Sequence, residues 1–391
     1  MIQPTSTTLP SRLRRRRGCK RLGAAPHSAS AVVVCALLCL SAVGPEARAS
    51  RPTTPSAGGG PTEAIVLEKL WSVGDGPGEE KLVCTVDTML AASSSNKQFY
   101  VGPTCLRGQV AALDAGGNLT GFIGSEGQGP GELEAVATIF VDRRDQLHVF
   151  QIPRGHTVFG SDHQFVRSFQ RWPLPGWAVF LDGGTSVRNL LLKTPDRVGK
   201  PLSIVDDSTN ELLLSFGEDV TAVVDASDNG GQFRSISAGQ GTSYWSAKPF
   251  DYALQQWDAS GRELRTLVRQ PEWWIRKPGY GTTWLRDIRV DGNLVWTLSI
   301  VPTFDGESPG KVGKGPGLNN YFDTVFEVLA LDTEQLVATT RTDVVFSRWV
   351  GDLVFSHRDL EEGIVAMDVW RAHLSGSTGL ELATSKWRRI R

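Results

Sequence analysis

Residues 121–169 read GFIGSEGQGPGELEAVATIFVDRRDQLHVFQIPRGHTVFGSDHQFVRSF. Four short runs of alternating apolar residues lie in this stretch, separated by turns rich in Gly, Asp and Ser. Alternation with period two sends every second side chain to one sheet face, so each run reads as a strand. A unit of about 45 residues holding four such strands predicts one blade of a β-propeller.

The turns between the third and fourth strands recur along the chain. They stand at Asp114–Gly117, Ser161–Gln164, Asp207–Asn210, Asp258–Gly261 and Asp332–Gln335, with a looser one at Ser375–Gly379. The step is about 45 to 50 residues except before Asp332, where an insertion intervenes. The expected fold is therefore all-β: a six-bladed β-propeller of four-stranded antiparallel blades, with strands a to d running outward from a central channel. Leu70–Glu79 (LWSVGDGPGE) echoes Gly121–Glu132 (GFIGSEGQGPGE), so Ile65–Val73 reads as a d strand without its own a, b and c. It is expected to complete the last blade, whose other strands are placed at Val344–Trp349, Leu353–His357 and Ile364–His373. That would close the ring and leave no open strand edge. Leu380–Trp387 is the competing sixth d strand.

The ends read differently. Arg12, Arg14–Arg17, Lys20 and Arg21 precede the apolar run Ala31–Val43, and Ala47-Arg48-Ala49 has the small-x-small pattern of a cleavage site. Residues 1–49 are expected to be a signal peptide, 50–63 a flexible linker and 64–391 the propeller. The mature protein would then be periplasmic or secreted, with no stable membrane insertion after cleavage. Without the leader, 33 basic residues face 41 acidic ones, a net charge of about −8 that argues against a nucleic-acid partner. Cys84 and Cys105 flank a hairpin pattern (CTVDTMLA, SSSNK, QFYVGPTC), which sets them across antiparallel strands as a disulfide or, alternatively, as two buried thiols.

GQGPGELEAVATIFVDRRDQLHVF resembles the repeat of NHL-like six-bladed propellers, and Pro271–Trp274 with Asp291–Trp296 looks like exported bacterial six-bladed β-propeller proteins of unknown function. The resemblance spans residues 64–374 and implies a fold; it carries no catalytic motif.

The d–a and b–c connections share one face of a propeller and are long here: 124–134, 171–176, 217–232 and 269–283 between blades, and 193–201 and 301–321 within them. Long loops gathered at one rim are where binding sites form. Trp273, Trp274, Arg276, Trp284 and Arg286 concentrate aromatic and cationic groups suited to stacking on a peptide or glycan. Trp273 and Trp274 also read as wedges packed between blades. Asp87, Asp142 and Asp291 are expected where an innermost strand ends, as turn caps. His148, His156, His163, His357 and His373 show no metal-ligand spacing, His148 and His357 reading as structural, and no catalytic residue, metal site or cofactor is assigned. The expected function is a non-catalytic exported binding or scaffold propeller whose long-loop face engages a protein, peptide or glycan. The competing reading is a channel-based metal-dependent hydrolase or lyase, similar to lactonase-like propellers, with Asp87, Asp287 and Asn189 as inward-facing ligands.

Overall fold

The computed structural model describes residues 63–95, 97–153, 155–170, 173–190, 199–217, 233–275, 282–303, 321–360 and 365–375. Residues 1–62, Arg276 and Leu380–Trp387 lie outside them. Six four-stranded antiparallel sheets form the ring. Blade 1 comprises Met89–Ala92, Gln98–Gly102, Val110–Asp114 and Leu119–Ile123; blade 2 Ala135–Val141, Leu147–Ile152, Gly155–Phe159 and Phe165–Gln170. Blade 3 comprises Pro175–Phe180, Thr185–Leu190, Leu202–Asp206 and Leu212–Phe216; blade 4 Ser235–Ala238, Tyr244–Lys248, Ala253–Trp257 and Glu263–Val268. Blade 5 comprises Trp284–Asp291, Leu294–Pro302, Phe322–Ala330 and Leu336–Thr342. Blade 6 takes a, b and c from Phe346–Val350, Leu353–Asp359 and Val365–Leu374, and its d strand is Ile65–Val73.

The N-terminal strand thus closes the ring, its register running from Ile65 opposite Leu374 to Val73 opposite Met367. Its exit explains the repeated Gly-Pro-Gly-Glu motif. In both copies the Glu amide donates to the first Gly carbonyl (Glu79 to Gly76, 3.0 Å; Glu132 to Gly129, 3.0 Å), and the second Gly has positive φ (Gly78 85°, Gly131 81°). Proline fixes the second turn position and glycine alone tolerates the third without strain, so the motif is a turn that feeds the next innermost strand. The Glu side chain finishes it, accepting from Gly74 N (3.1 Å) in the first copy and Gly129 N (2.7 Å) in the second.

The core lies between blades. Apolar clusters of buried side chains fill five of the six junctions among the described residues: blades 6 and 1, 1 and 2, 3 and 4, 4 and 5, and 5 and 6. The junction of blades 2 and 3 is built on polar groups instead. His148 and His156, both wholly buried, share a hydrogen bond of 3.0 Å, and His156 meets Asn210 Oδ1 at 3.2 Å. Arg188, also wholly buried, donates to Ser186 Oγ, Asn210 Oδ1 and Asp207 Oδ1 at 2.8, 2.8 and 3.0 Å. Phe150 stacks on His156 at 4.1 Å, and Phe180 lies 4.3 Å from the His148 ring. Burial of so many polar groups is tolerated because their hydrogen bonds are made.

One expected placement is corrected. Asp142 and Asp291 do end innermost strands, but Asp87 precedes one, since strand a of blade 1 starts at Met89. The chain before it is a turn, with Thr88 N donating to Thr85 O and Thr88 Oγ1 accepting from Cys84 N, so the apparent alternation of CTVDTMLA is broken halfway. Cys84 and Cys105 are joined as a disulfide outside the paired strands, with Cα atoms 4.9 Å apart.

Candidate functional site

The channel mouth on the d–a side is shaped by one recurring backbone feature. Four of the six innermost strands carry a register shift close to their first residue: Val136/Thr138, Pro175/Ala178, Leu285/Asp287 and Phe346/Arg348. An extra residue there re-aims the side chains around it. In blade 5 the extra residue is Arg286, which stays half-buried between the buried Leu285 and Asp287. In blade 3 the shift delivers Trp177, and in blade 6 it precedes Arg348.

These side chains meet across the channel. The Arg348 guanidinium lies over Trp177 at 4.3 Å and 5.9 Å from the Phe140 ring of blade 2. Its Nη2 donates to Gly176 O at 2.6 Å, a bond that joins opposite blades of the ring. Arg286 stands on the same indole at 6.0 Å and donates through Nε to Ser347 O at 3.2 Å. Phe233, just before strand a of blade 4, meets Trp177 edge-on at 6.3 Å. A cation on an indole face is attracted by the ring quadrupole, worth about 2 kcal/mol where water is excluded.

Asp287 ties this group together. Its Oδ1 accepts from Trp177 Nε1 (3.2 Å) and Ile288 N (2.9 Å), and its Oδ2 from Trp349 N (2.8 Å). Desolvation raises its carboxyl to about 6, against the opposing pull of Arg348, the two backbone amides and Arg286. On the neighbouring wall, His357 bonds Ser347 Oγ (3.1 Å) and Thr88 O (3.0 Å). It is lowered to about 4 by desolvation, with the Thr88 carbonyl opposing and Arg286 adding to the fall. Asp87 is solvent-exposed at the mouth, yet the protein around it raises its carboxyl by desolvation, with Arg286 acting against the rise.

The sequence-derived residues are distributed rather than gathered. Trp273 and Trp274 pack edge-on to Tyr252 at 5.9 and 4.9 Å, against the apolar cluster between blades 4 and 5. Beneath them the Tyr252 hydroxyl bonds Glu327 and meets Thr297 Oγ1 at 3.0 Å, and Arg269 Nη2 reaches Glu327 Oε1 at 3.3 Å. Trp284 lies edge-on to Phe322 at 5.2 Å. Arg276 is outside the described residues, so of the five only Arg286 stands in the channel group. Asp87 and Asp287 both border the mouth, whereas Asn189, on strand b of blade 3, donates to Pro201 O at 3.0 Å. Among the described residues no three His, Cys, Asp or Glu side chains converge as metal ligands. Trp177, Arg348, Phe140 and Phe233 were not singled out from sequence. Arg348 shares with Arg234 and Arg286 a place at the start of an innermost strand (Phe233-Arg234, Leu285-Arg286, Ser347-Arg348), a pattern that gains meaning only once the bulges are known.

No protein-family profile matches the chain, and no curated protein sequence matches it. Solved structures do. An exported protein of Bacteroides fragilis superposes with a TM-score of 0.53 at 12% identity, over 80% of this chain and 95% of that one. The Pan2 WD40 domain of Neurospora crassa gives 0.44 at 9% identity, over 78% and 95%. BamB from Moraxella catarrhalis gives 0.37 at 12% identity, over 78% and 100%. At 12% identity the likeness to the exported protein is one of fold.

Proposed function

We propose that this chain is an exported, NHL-like binding or scaffold propeller that engages a ligand or protein partner on the face bearing its d–a and b–c connections. The observation that carries the reading is the channel mouth. All six blades contribute to it (Asp87, Phe140, Trp177, Phe233, Arg286 and Arg348 in blade order), so it presents a pre-organised floor of rings and guanidinium groups. Such a floor holds a partner with little ordering cost, because Arg348, Trp177, Phe140 and Phe233 are already fixed by one another. Asp287 spends both oxygens on protein donors, which supports a positioning role for it rather than an open ligand or acid.

Export is supported by the leader-like residues 1–49 and by the exposed Cys84–Cys105 disulfide, which an oxidising compartment maintains. N-terminal sequencing of the secreted protein should find a start near Ser50; retention of Met1 in a cytosolic product would contradict it. For the binding face, the test is affinity enrichment from the native extracytoplasmic fraction with wild type and Arg286→Ala, both at matched thermal stability. A partner recovered by wild type and lost by the variant is expected. Equal recovery by both proteins would move the site away from this face.

A further inference from the structure

Among the described residues, five charged side chains stand in or beside this group: Arg234, next to Phe233, and Arg286, Arg348, Asp87 and Asp287. Three are already committed. Arg234 is buried and donates to Phe233 O at 3.0 Å, Arg348 bridges to Gly176 O, and Asp287 accepts three protein hydrogen bonds. The other two differ. Among the described residues, Arg286 uses only Nε, on Ser347 O, and forms no ion pair, which leaves its two Nη groups without an acceptor there. The Asp87 carboxylate accepts no hydrogen bond among the described residues; its backbone donates from Asp87 N to Thr85 Oγ1 at 3.1 Å. The two stand on one wall: Ser347, whose carbonyl takes the Arg286 bond, meets His357 through Oγ, and His357 bonds the carbonyl of Thr88, the chain neighbour of Asp87. Among the described residues no salt bridge joins the two. An opposite pair that faces one mouth without closing on itself matches a ligand carrying both charges. The half-buried Trp177 ring beside Arg286, with half-buried Phe233 edge-on to it, adds an apolar wall.

We propose that the channel mouth is a receptor site for a small dipolar ligand of the α-amino-acid class with a flat or apolar side chain. Arg286 takes the carboxylate through its free Nη fork, Asp87 takes the ammonium, and Trp177 with Phe233 receives the side chain. Guanidinium–carboxylate pairing is directional and bidentate, so Arg286 sets the orientation, while Asp87 separates a free amine from an acylated one. The proposal rests on the binding-face reading above and narrows it to one ligand chemistry.

The probe is L-phenylalanine, titrated calorimetrically into the mature protein beside N-acetyl-L-phenylalanine and L-phenylalaninamide. Each analogue removes one of the two charges. Saturable binding of L-phenylalanine is expected, with both analogues weaker by about tenfold or more, the size of one lost charge-assisted hydrogen bond. Arg286→Gln should weaken L-phenylalanine and erase its advantage over the amide. Asp87→Asn should erase its advantage over the acetylated form and leave the amide comparison intact. Arg286 is half-buried and Asp87 exposed, so the variants should keep the wild-type melting temperature, which is measured alongside. Absence of heat up to about 10 mM probe, equal binding of all three compounds, or discrimination that survives both substitutions would each overturn the proposal. A macromolecular partner still lost on Arg286→Ala would, in that case, leave the broader binding-face reading standing.

Discussion

Asp287 is a carboxylate held where water would ordinarily stabilise it, and its protonation behaviour follows from that. Desolvation raises it from 3.8 to about 6 in the folded protein. Between those values the folded state binds more protons than the unfolded one. Its contribution therefore favours folding at low pH and is lost as pH rises to 6. The swing is about 3 kcal/mol. Asp287→Asn should remove this component: the difference in unfolding free energy between variant and wild type, from urea titrations at pH 4 to 7, should shift toward the variant as pH rises. A pH-independent difference would mean the carboxyl is not perturbed. Gly117 gives a second case at this scale. Its φ is +83°, and a Cβ added there would stand 2.5 Å from Cδ2 of Trp71 in the ring-closing strand. Gly117→Ala thus combines left-handed backbone strain, about 1 to 2 kcal/mol, with displacement of an indole. A fall in unfolding free energy of at least about 2 kcal/mol is expected, and relief by pairing it with Trp71→Leu would locate the cause. The turn glycine was readable in the Asp114–Gly117 landmark, because turn chemistry is local. Its contact with Trp71 was not, because it joins segments far apart in sequence.

Among elements, the strand Ile65–Val73 has the largest consequence. It pairs along nearly its whole length with Val365–Leu374, and Asp368 adds Ser72 Oγ (2.7 Å), Lys69 Nζ (2.9 Å) and Arg358 Nε (3.2 Å). Val73 joins the apolar cluster between blades 6 and 1, and Ile65 the one between blades 5 and 6. Each fully buried aliphatic side chain contributes about 1.5 to 3 kcal/mol, so the strand fastens both seams it touches. Removing residues 1–73 would leave Val365–Leu374 as an exposed apolar edge, the template for pairing with another chain. Such a truncated protein should associate or precipitate, and a synthetic peptide covering residues 63–75 should restore a monomer by size-exclusion chromatography. A stable truncated monomer would show that closure is dispensable. This element was legible because the Gly-Pro-Gly-Glu turn repeats, and a repeat fixes phase. The bulged innermost strands were not legible. A one-residue insertion exchanges which side chains face the channel, and period-two reading assumes that no insertion exists. Hence Arg286 was found in its sequence context among tryptophans that turn out to pack elsewhere, while Trp177 and Arg348, its actual neighbours, were passed over.

For the whole molecule, the six seams are not equivalent. Five are closed by apolar clusters indifferent to pH, and the sixth, between blades 2 and 3, is closed by His148, His156 and Arg188. His148 is lowered by desolvation, opposed by Asp142; His156 is lowered well below 6.5 by desolvation, then by His148 and Arg188. A histidine whose folded pKa is depressed contributes stability above 6.5 that is lost as pH falls, since the unfolded state takes the proton first. His357, lowered to about 4, acts in the same direction with a shift close in size to that of Asp287, which acts oppositely. Those two nearly cancel between pH 4 and 6, and the raised carboxyls of Glu327, Asp87 and Asp359 act with Asp287 in the carboxylate range, so the buried pair His148 and His156 sets the slope only in the histidine range above it. Stability should therefore rise with pH approaching 6.5, over roughly the last unit below it, and the loss on acidification should be local before it is global. Hydrogen exchange at pH 5 and pH 7, corrected for intrinsic rates, should show Leu147–Phe159 and Thr185–Leu190 losing protection ahead of the blade 5 strands Leu294–Pro302 and Phe322–Ala330. His156→Phe, which stacks on Phe150 without a titrating nitrogen, should flatten the acid limb of the stability curve. Uniform loss of protection around the ring, or an acid limb unchanged in that variant, would place the pH sensitivity elsewhere than this seam.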